Sequence, residues 1–467
     1  MAHQEVIMSR RRKRAARKRV GRVSYYQHHG SWYLYFREGT ERVRRRIGPL
    51  EAEAAQLAAE VNAQLSAGSR SFLSFVPVTI SELRRRFLDD HEQVRHSSVA
   101  TLRRYRTATL YLERFAATTT AGLKAHELRV EDFVRWLRTV EVTPNGHKNS
   151  PHRRLREKGV RFILETCRSL YRFAARRRHL PPYCENPFSE IASLKMHEDE
   201  AKPVFVFDEK TEQEFLEAAD EWGFPIHFTL AKAGIRPGEA ARLLIEDVNL
   251  DGGWLHVRGK PELAWRVKTR RERAVPMVAE LVQVLRWTIG GRLAGPVFLR
   301  PRFRNVSGPF ANQSREQMAA VCRERTRARE RELGRSLSRE ETAGVAQTAW
   351  RDWGAIEADD IRRSYVRIAT AIGRDSVTCP KSWRHTFATL LQDANVDPLI
   401  RQLTMGHAPS GSGKDALGMT SVYTHTRPET QKREIDRAMR LWPHSLQLAI
   451  NRAQGGSHDR PIVSPRP

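Results

Sequence analysis

The chain has 467 residues, 40% hydrophobic and 8% aromatic, enough to bury cores in two or three domains. Lys and Arg number 81 against 54 Asp and Glu, a formal net charge of +27 spread along the whole length, which favours nucleic acid over an acidic membrane as partner and suits a protein that wraps a duplex. Four cysteines without a CxxC pair, no His/Cys cluster at zinc-ligand spacing, and no apolar run fit for a secretory signal or a membrane span lead us to expect a reduced, cytoplasmic protein with no metal and no membrane contact.

In chain order, residues 1–19 form a basic tail, RRRKRAARKR at its end, expected to be disordered and compatible with DNA contact. An aromatic, alternating stretch over 22–38, a short basic strand over 41–47, and the helical run EAEAAQLAAEVNAQL predict a small α+β module at 20–68. Its basic side chains, Arg37, Arg42, Arg44, Arg45 and Arg46, point to a DNA-reading sheet, against the plainer reading of an ordinary subdomain. From 78 to 180 the periodicity turns helical: four amphipathic segments begin near Ile80, Ser98, Val130 and His152, the last ending in Arg176-Arg177-Arg178. Basic outer faces, with Arg103, Arg104, Arg176 and Arg177 as candidate DNA contacts, suggest a helical clamp; a solvated charged bundle has much the same composition.

Residues 181–203, holding Pro181, Pro182, Asn186-Pro187 and Pro203, read as a linker. A second module follows over 204–442. Asp208 caps a helix running to about Trp222, and a further helix holds Leu230 ahead of Gly234. Strands are expected at Trp254–Val257, Trp265–Lys268 and Arg273–Met277, with helices resuming at Val278. Residues 312–358, with RERTRARERELGRSLSREETAG, predict a long solvated helix pair without chemistry of its own. The proline-bearing tail over 443–467 reads as flexible. The fold class expected is mainly α with small β elements.

Within the second module stand Arg236 in AGIRPGEAARLLIEDV, Lys268 in VKTRRERAVPM, Arg384-His385 in CPKSWRHTFATLLQ, His407 in LTMGH and Tyr423 in SVYTHT. Phosphodiester cleavage without a metal needs a nucleophile, neutralisation of the pentacoordinate phosphate and a proton for the leaving oxygen. A phenol can attack phosphorus, arginine forks can hold non-bridging oxygens, and a lysine on a β-turn can give the proton. Singly, each residue has a structural reading: Tyr423 half-buried, Arg236 at a helix start, the histidines satisfied by packing. Their order and local strings say more than any one of them.

That order resembles the tyrosine recombinase (phage integrase) family. The segment CRSLYRFAARRRHLPPYCENPF resembles the family's core-binding domain, and the SWYLYFREG module looks like the arm-site-binding domain of temperate-phage integrases. The resemblance implies a helical, SAM-like core-binding domain followed by a mixed α/β catalytic domain with an insertion at 312–358. It implies that Arg236 and Arg384 bind the scissile phosphate, Lys268 protonates the 5′-oxygen, Tyr423 attacks to form a 3′-phosphotyrosyl link, and His407 hydrogen-bonds the phosphate. Glu239 is the acidic neighbour standing behind the first arginine, and His385 is expected to pack a helix rather than catalyse. The family's usual histidine three residues before the second arginine is Lys381 here, suited to a phosphate contact but not to general-base work at neutral pH. The loop from Ala408 to Val422 is longer than the family's usual spacing.

The implied activity is site-specific DNA strand exchange as an integrase, without cofactor, metal or ATP. The implied assembly is a homotetramer on paired sites of double-stranded DNA, each copy a clamp around its duplex, with accessory DNA-bending proteins and a nucleoid-associated location when bound. Three alternatives remain: a type IB topoisomerase, a DNA-binding relative that has lost cleavage, and a nucleoid protein binding without sequence preference.

Overall fold

The computed structural model describes residues 16–68, 71, 73, 75–120, 122–143, 151–181, 185–189, 204–268, 270–303, 312–406 and 426–455. The chain divides by contact density into two units, Met1–Ala201 and Lys202–Pro467.

The first unit holds two separate cores. Strands β1 (Arg17–Val20), β2 (Val23–His28), β3 (Ser31–Glu38) and β4 (Glu41–Gly48) form an antiparallel meander in sequence order. Their period-2 alternation sends Val23, Tyr25, Trp32, Leu34 and Phe36 to one face, where helix α1 (Glu51–Ser66) covers them with Ala54, Ala58, Val61 and Leu65. The expected disordered tail is corrected at its end. Arg17 to Val20 pair with Val23 to Tyr26, because β2 offers a free edge whose backbone groups they satisfy. The Arg17 guanidinium also lies 4.8 Å from the Tyr26 ring. Residues 1–15 lie outside the described residues.

Four helices build the second core: α2 (Ile80–Asp89), α3 (Val99–Thr119), α4 (Val130–Thr139) and α5 (Glu157–Arg176). Thr79 and Ser98 cap α2 and α3, each hydroxyl accepting a main-chain N–H three residues on at 3.2 Å. A two-residue ribbon, β5 (Glu141–Val142) with β6 (Arg153–Arg154), precedes α5, so that helix starts later than its sequence suggests. Phe87, Leu112, Phe133 and Tyr171 fill the interior. Phe188, inside the expected linker, is buried in the same core. Asn186 fixes it there, donating to Arg168 O at 2.9 Å and accepting from Phe188 N–H at 2.9 Å.

Among its described residues, the second unit is built on α6 (Glu209–Ala218), α7 (Gly223–Ala233), α8 (Pro237–Ala240), a three-stranded sheet, and eight further helices. The sheet runs β7 (Val248–Asn249), β8 (Trp254–Val257), β9 (Arg273–Pro276), all antiparallel. The strand expected at Trp265–Lys268 does not form. Pro261–Leu263 turns, Ala264 takes φ +54°, and one bridge pairs Lys260 with Trp265. The helices are α9 (Ala279–Ile289), α10 (Arg315–Leu333), α11 (Arg339–Asp352), α12 (Ala358–Ala371), α13 (Ser382–Asp393), α14 (Pro398–Met405), α15 (Pro428–Met439) and α16 (Pro443–Gly455). α7 is buried along its whole length, and α13 turns Trp383, Phe387, Leu390 and Leu391 inward, with the Trp383 ring stacked on Phe207 at 3.9 Å.

Two expectations for this unit change. The pair α10 and α11 is not simply solvated, because Met318, Cys322, Trp350 and Trp353 bury a small core against Leu244 and Leu263. The expected flexible tail contains α16, whose Leu446 and Ala449 join the main core. Arg452 donates to Ala219 O and Glu217 O at 2.7 and 2.8 Å. Pro443 opens that helix, where its missing N–H costs nothing.

Candidate active site

Arg236 and Arg384, more than 140 positions apart, come together around one carboxylate. Arg236 immediately precedes α8. Glu239, three residues on, accepts from the Arg236 main-chain N–H at 2.9 Å and from its Nη1 at 2.8 Å. From β9, Arg273 donates Nη1 and Nη2 to the two oxygens of the same carboxylate at 3.2 and 2.7 Å, a bidentate pair whose side chains are each 4% exposed. Burial pushes the Glu239 pKa up, but the hydrogen bonds and charge of Arg273, then of Arg236, outweigh it and leave the group below its ordinary value.

Arg384 enters from α13. Its Nη1 donates to Gly234 O at 2.6 Å and its Nη2 to Met405 O. Burial, then the repulsion of Arg236 and Arg273, against the pull of Glu239, bring its pKa down to about 10. Two guanidiniums thus share the Glu239 carboxylate and a third lies within its field, leaving an excess of positive charge suited to an anion. Arg273 also donates Nε to Thr404 O at 3.0 Å. Arg273 and Arg384 therefore grip the last two residues of α14, just ahead of Gly406 and His407.

Two glycines permit this convergence. Gly234 ends α7 with φ +59°, and a Cβ there would stand 2.2 Å from Phe387 Cδ1 of α13. Gly406 ends α14 with φ +64°, and its Cβ would stand 2.8 Å from Arg273 Cδ. Arg273 was given no role in the sequence, one cation among several in RVKTRRERAVPM. The available signal was an arginine two residues from buried Val275 on a strand, and so on its inward face.

Lys268 is exposed, in a turn closed by the Arg270 N–H donating to Val267 O at 2.9 Å. Lys381 is exposed at the start of α13, its carbonyl accepting from the Arg384 and His385 N–H groups at 3.0 and 3.2 Å. His385 does not pack the helix. The buried stripe of α13 runs through Trp383, Arg384, Phe387 and Leu391, and the helical period turns His385 outward, onto a groove beside Val204, Val206 and Gln402. His407 and Tyr423 lie outside the described residues. Among the described residues, no three His, Cys, Asp or Glu side chains are placed to share a metal ion, and no helix is long and apolar enough to cross a membrane.

The candidate DNA contacts all lie in the first unit. On the sheet face opposite α1, Arg44 lies 4.6 Å from the Tyr33 ring, Tyr26 stacks on Tyr33, and Arg37 is exposed. Arg45 alternates to the other face, half-buried with its guanidinium 4.9 Å from the Phe75 ring, and is withdrawn from that surface. Arg103 and Arg104 are exposed on α3, Arg104 over Phe162 at 4.4 Å. Arg176 is exposed at the end of α5, while Arg177 is tied to Asp90 at 3.1 Å.

The profile of the Phage integrase family matches residues 206–430. Two curated relatives are each named tyrosine recombinase XerC. That of Pelotomaculum thermopropionicum is 24% identical over 277 residues, covering 58% of this chain and 71% of the relative. That of Pelobacter propionicus is 26% identical over 285 residues, covering 60% and 70%. Among solved structures, a Tn1549 transposon integrase in complex with transposon right-end DNA aligns at 16% identity and TM-score 0.48 over 77% of this chain and 99% of that one. A lambda integrase dimer bound to a COC′ core site aligns at 12% identity and TM-score 0.46 over 83% and 92%.

Proposed function

We propose that this chain, whose residues 206–430 match the phage integrase family, is a tyrosine-type site-specific recombinase that cuts and rejoins double-stranded DNA through a 3′-phosphotyrosyl intermediate. The Tyr423 oxygen attacks the scissile phosphorus as the phenol loses its proton. The bond from phosphorus to the 5′-oxygen breaks, and Lys268 gives that oxygen its proton. In the second half-reaction a 5′-hydroxyl attacks the phosphotyrosine and returns the phenol. The ester conserves the energy of the broken bond, so rejoining draws on no nucleoside triphosphate.

Arg236 and Arg384 hold the non-bridging oxygens and supply charge that a metal ion supplies in other nucleases. Lys381, at the head of the helix carrying Arg384, adds a phosphate contact, and His407 donates a hydrogen bond to the phosphate. Exchange between two duplex sites cuts four strands, one per active site. Four copies therefore act together, with DNA-bending proteins assisting where the sites must be brought close.

The observation that carries this reading is the arginine cluster around Glu239. It is preorganised by buried hydrogen bonds, holds more positive than negative charge, and grips the backbone that leads to His407. The test is covalent capture. Wild-type protein on a nicked suicide duplex forms a protein–DNA adduct that resists denaturant, and Tyr423→Phe forms none. If the wild-type protein binds its duplex tightly but yields no adduct, the chain is a DNA-binding relative without cleavage.

A further inference from the structure

The segment that carries Lys268 leaves the sheet at Val257 and returns at Arg273. Its tip is exposed, but its stem is held rigidly. Lys260 is 1% exposed and pairs with Asp247 at 2.7 Å, and its main chain is bridged to Trp265 by N–H···O bonds of 2.9 and 3.0 Å. Asp247 also accepts the Leu244 N–H at 2.9 Å, tying the stem to the chain that follows α8.

Both helices of the α10–α11 hairpin close on this stem. From α10, Arg315 donates Nε to Glu262 and Nη2 to Gly259 O at 3.1 Å. From α11, the indole N–H of Trp350 donates to Leu263 O at 3.2 Å, and Leu263 itself sits among Met318, Ala319, Trp350 and Trp353. The last residue so gripped lies five positions before Lys268. Two main-chain carbonyls and a carboxylate of one short stem are thus satisfied by side chains of the hairpin. A lysine at the end of a flexible loop protonates a leaving group poorly unless the stem of that loop is fixed.

We propose that the α10–α11 hairpin is a positioning element for the leaving-group proton, with Arg315 and Trp350 holding the stem from which Lys268 reaches the 5′-oxygen. This rests on the role given to Lys268 above. The hairpin acts through that lysine on one step, the departure of the 5′-oxygen, and leaves the attack of Tyr423 and the grip on the phosphate alone.

A bridging sulfur in place of the 5′-oxygen separates these steps, because a thiolate departs without being protonated. Full-length protein is assayed on a nicked duplex carrying the cleavage position mapped for the wild type, made once with oxygen and once with sulfur there. Arg315→Ala, and independently the milder Glu262→Gln, slow cleavage of the oxygen substrate about 10- to 100-fold, within the range a general acid contributes, and cleave the sulfur substrate at the wild-type rate. Lys268→Ala shows the same pattern more strongly, and adding Arg315→Ala to it changes nothing further. Equal slowing on both substrates, no slowing on either, or an additive double variant overturns the proposal, while Lys268→Ala rescued by sulfur keeps the assignment of that lysine standing. If sulfur fails to rescue Lys268→Ala itself, the role of Lys268 falls, and the positioning role falls with it.

Discussion

At the scale of single residues the site is a problem in charge balance. Arg384 is kept cationic at neutral pH although burial and two neighbouring arginines bring its pKa down to about 10, and the proposed phosphodiester is the anion that this excess charge calls for. Arg236→Ala or Arg384→Ala is expected to slow adduct formation by roughly 10²- to 10³-fold, about 3 kcal/mol as for one lost donor of an oxyanion site, while duplex affinity stays nearly unchanged. Near-wild-type cleavage by either variant would sink the assignment. Glu239 has a different part, since it holds both Arg236 and Arg273. Glu239→Gln leaves Arg273 buried beside a neutral amide and is expected to cost about 3 kcal/mol at pH 7, the usual result of breaking a buried pair from one side. Because the folded-state pKa of Glu239 is depressed, its stabilisation is present above the ordinary value of about 4.5 and is lost as pH falls through the lower folded value. Urea unfolding at pH 7 and at a pH well below the ordinary carboxylate value should therefore show the wild type converging on the variant in acid; a gap that stays constant there would remove the carboxylate from the account. Arg236, Arg384 and Glu239, which the fold brings together, could be picked out in the sequence because they sit in short distinctive strings, whereas Lys268 and Lys381 are exposed and remain outside that cluster. Arg273 could not be picked out, because a buried arginine on a strand looks like any other cation until its partner is known. His385 was misread because its neighbour Arg384, not His385, lies on the buried face of α13.

At the scale of elements, the site depends on how closely α7 approaches α13. Helix α7 is buried all round, so it has no solvent face to shift toward, and its end at Gly234 lies against the Phe387 ring. Gly234→Ala forces both a positive φ and a clash, and should cost roughly 2–4 kcal/mol, the sum of a left-handed alanine and an overpacked core. Gly238, four residues on, has ordinary helical φ and nothing within 4 Å of its would-be Cβ. Gly238→Ala should be neutral or stabilise by up to about 1 kcal/mol. Denaturant midpoints that order the two variants the other way would show that the helix contact is looser than described. Amphipathic helices such as α2, α3 and α6 could be read from the apolar stripes that begin near Ile80, near Ser98 and after Asp208, whereas the Thr79 cap of α2 shows only in the structure. The misses share one cause, which is a pairing or packing partner that the local string does not reveal. β1 is a strand because β2 is free to pair with it, α16 is ordered because α6 and α9 present a surface to it, and Trp265–Lys268 is not a strand because the hairpin over 315–353 draws its stem into a turn.

At the scale of the whole molecule, the excess of 81 basic over 54 acidic residues raises the question of which charges serve affinity and which serve chemistry. The candidates for the two roles fall in different units of the chain. The arginine cluster lies wholly within Lys202–Pro467, whereas Arg44 and its aromatic neighbours Tyr26 and Tyr33 lie within Met1–Ala201, on a sheet with a core of its own. A cation that contacts a phosphate releases counterions, so each such contact steepens the fall of binding with salt, and losing one flattens the slope of log K against log salt by roughly 1. Arg44→Ala should therefore weaken duplex binding, flatten that slope by about one contact, and leave the rate of adduct formation at saturating DNA unchanged. Arg384→Ala, which also removes a proposed phosphate contact, should flatten the slope by a similar amount but lose the rate at saturating DNA, so the rate at saturation separates the two variants. Titration of both variants from low to moderate salt, with adduct formation followed at saturation, tests the division. If Arg44→Ala slows the chemical step at saturation, the sheet does more than hold DNA. If it leaves the slope untouched, the Arg44 face does not meet phosphate, and the charge of the first unit must act through α3 and α5, where Arg103, Arg104 and Arg176 remain exposed.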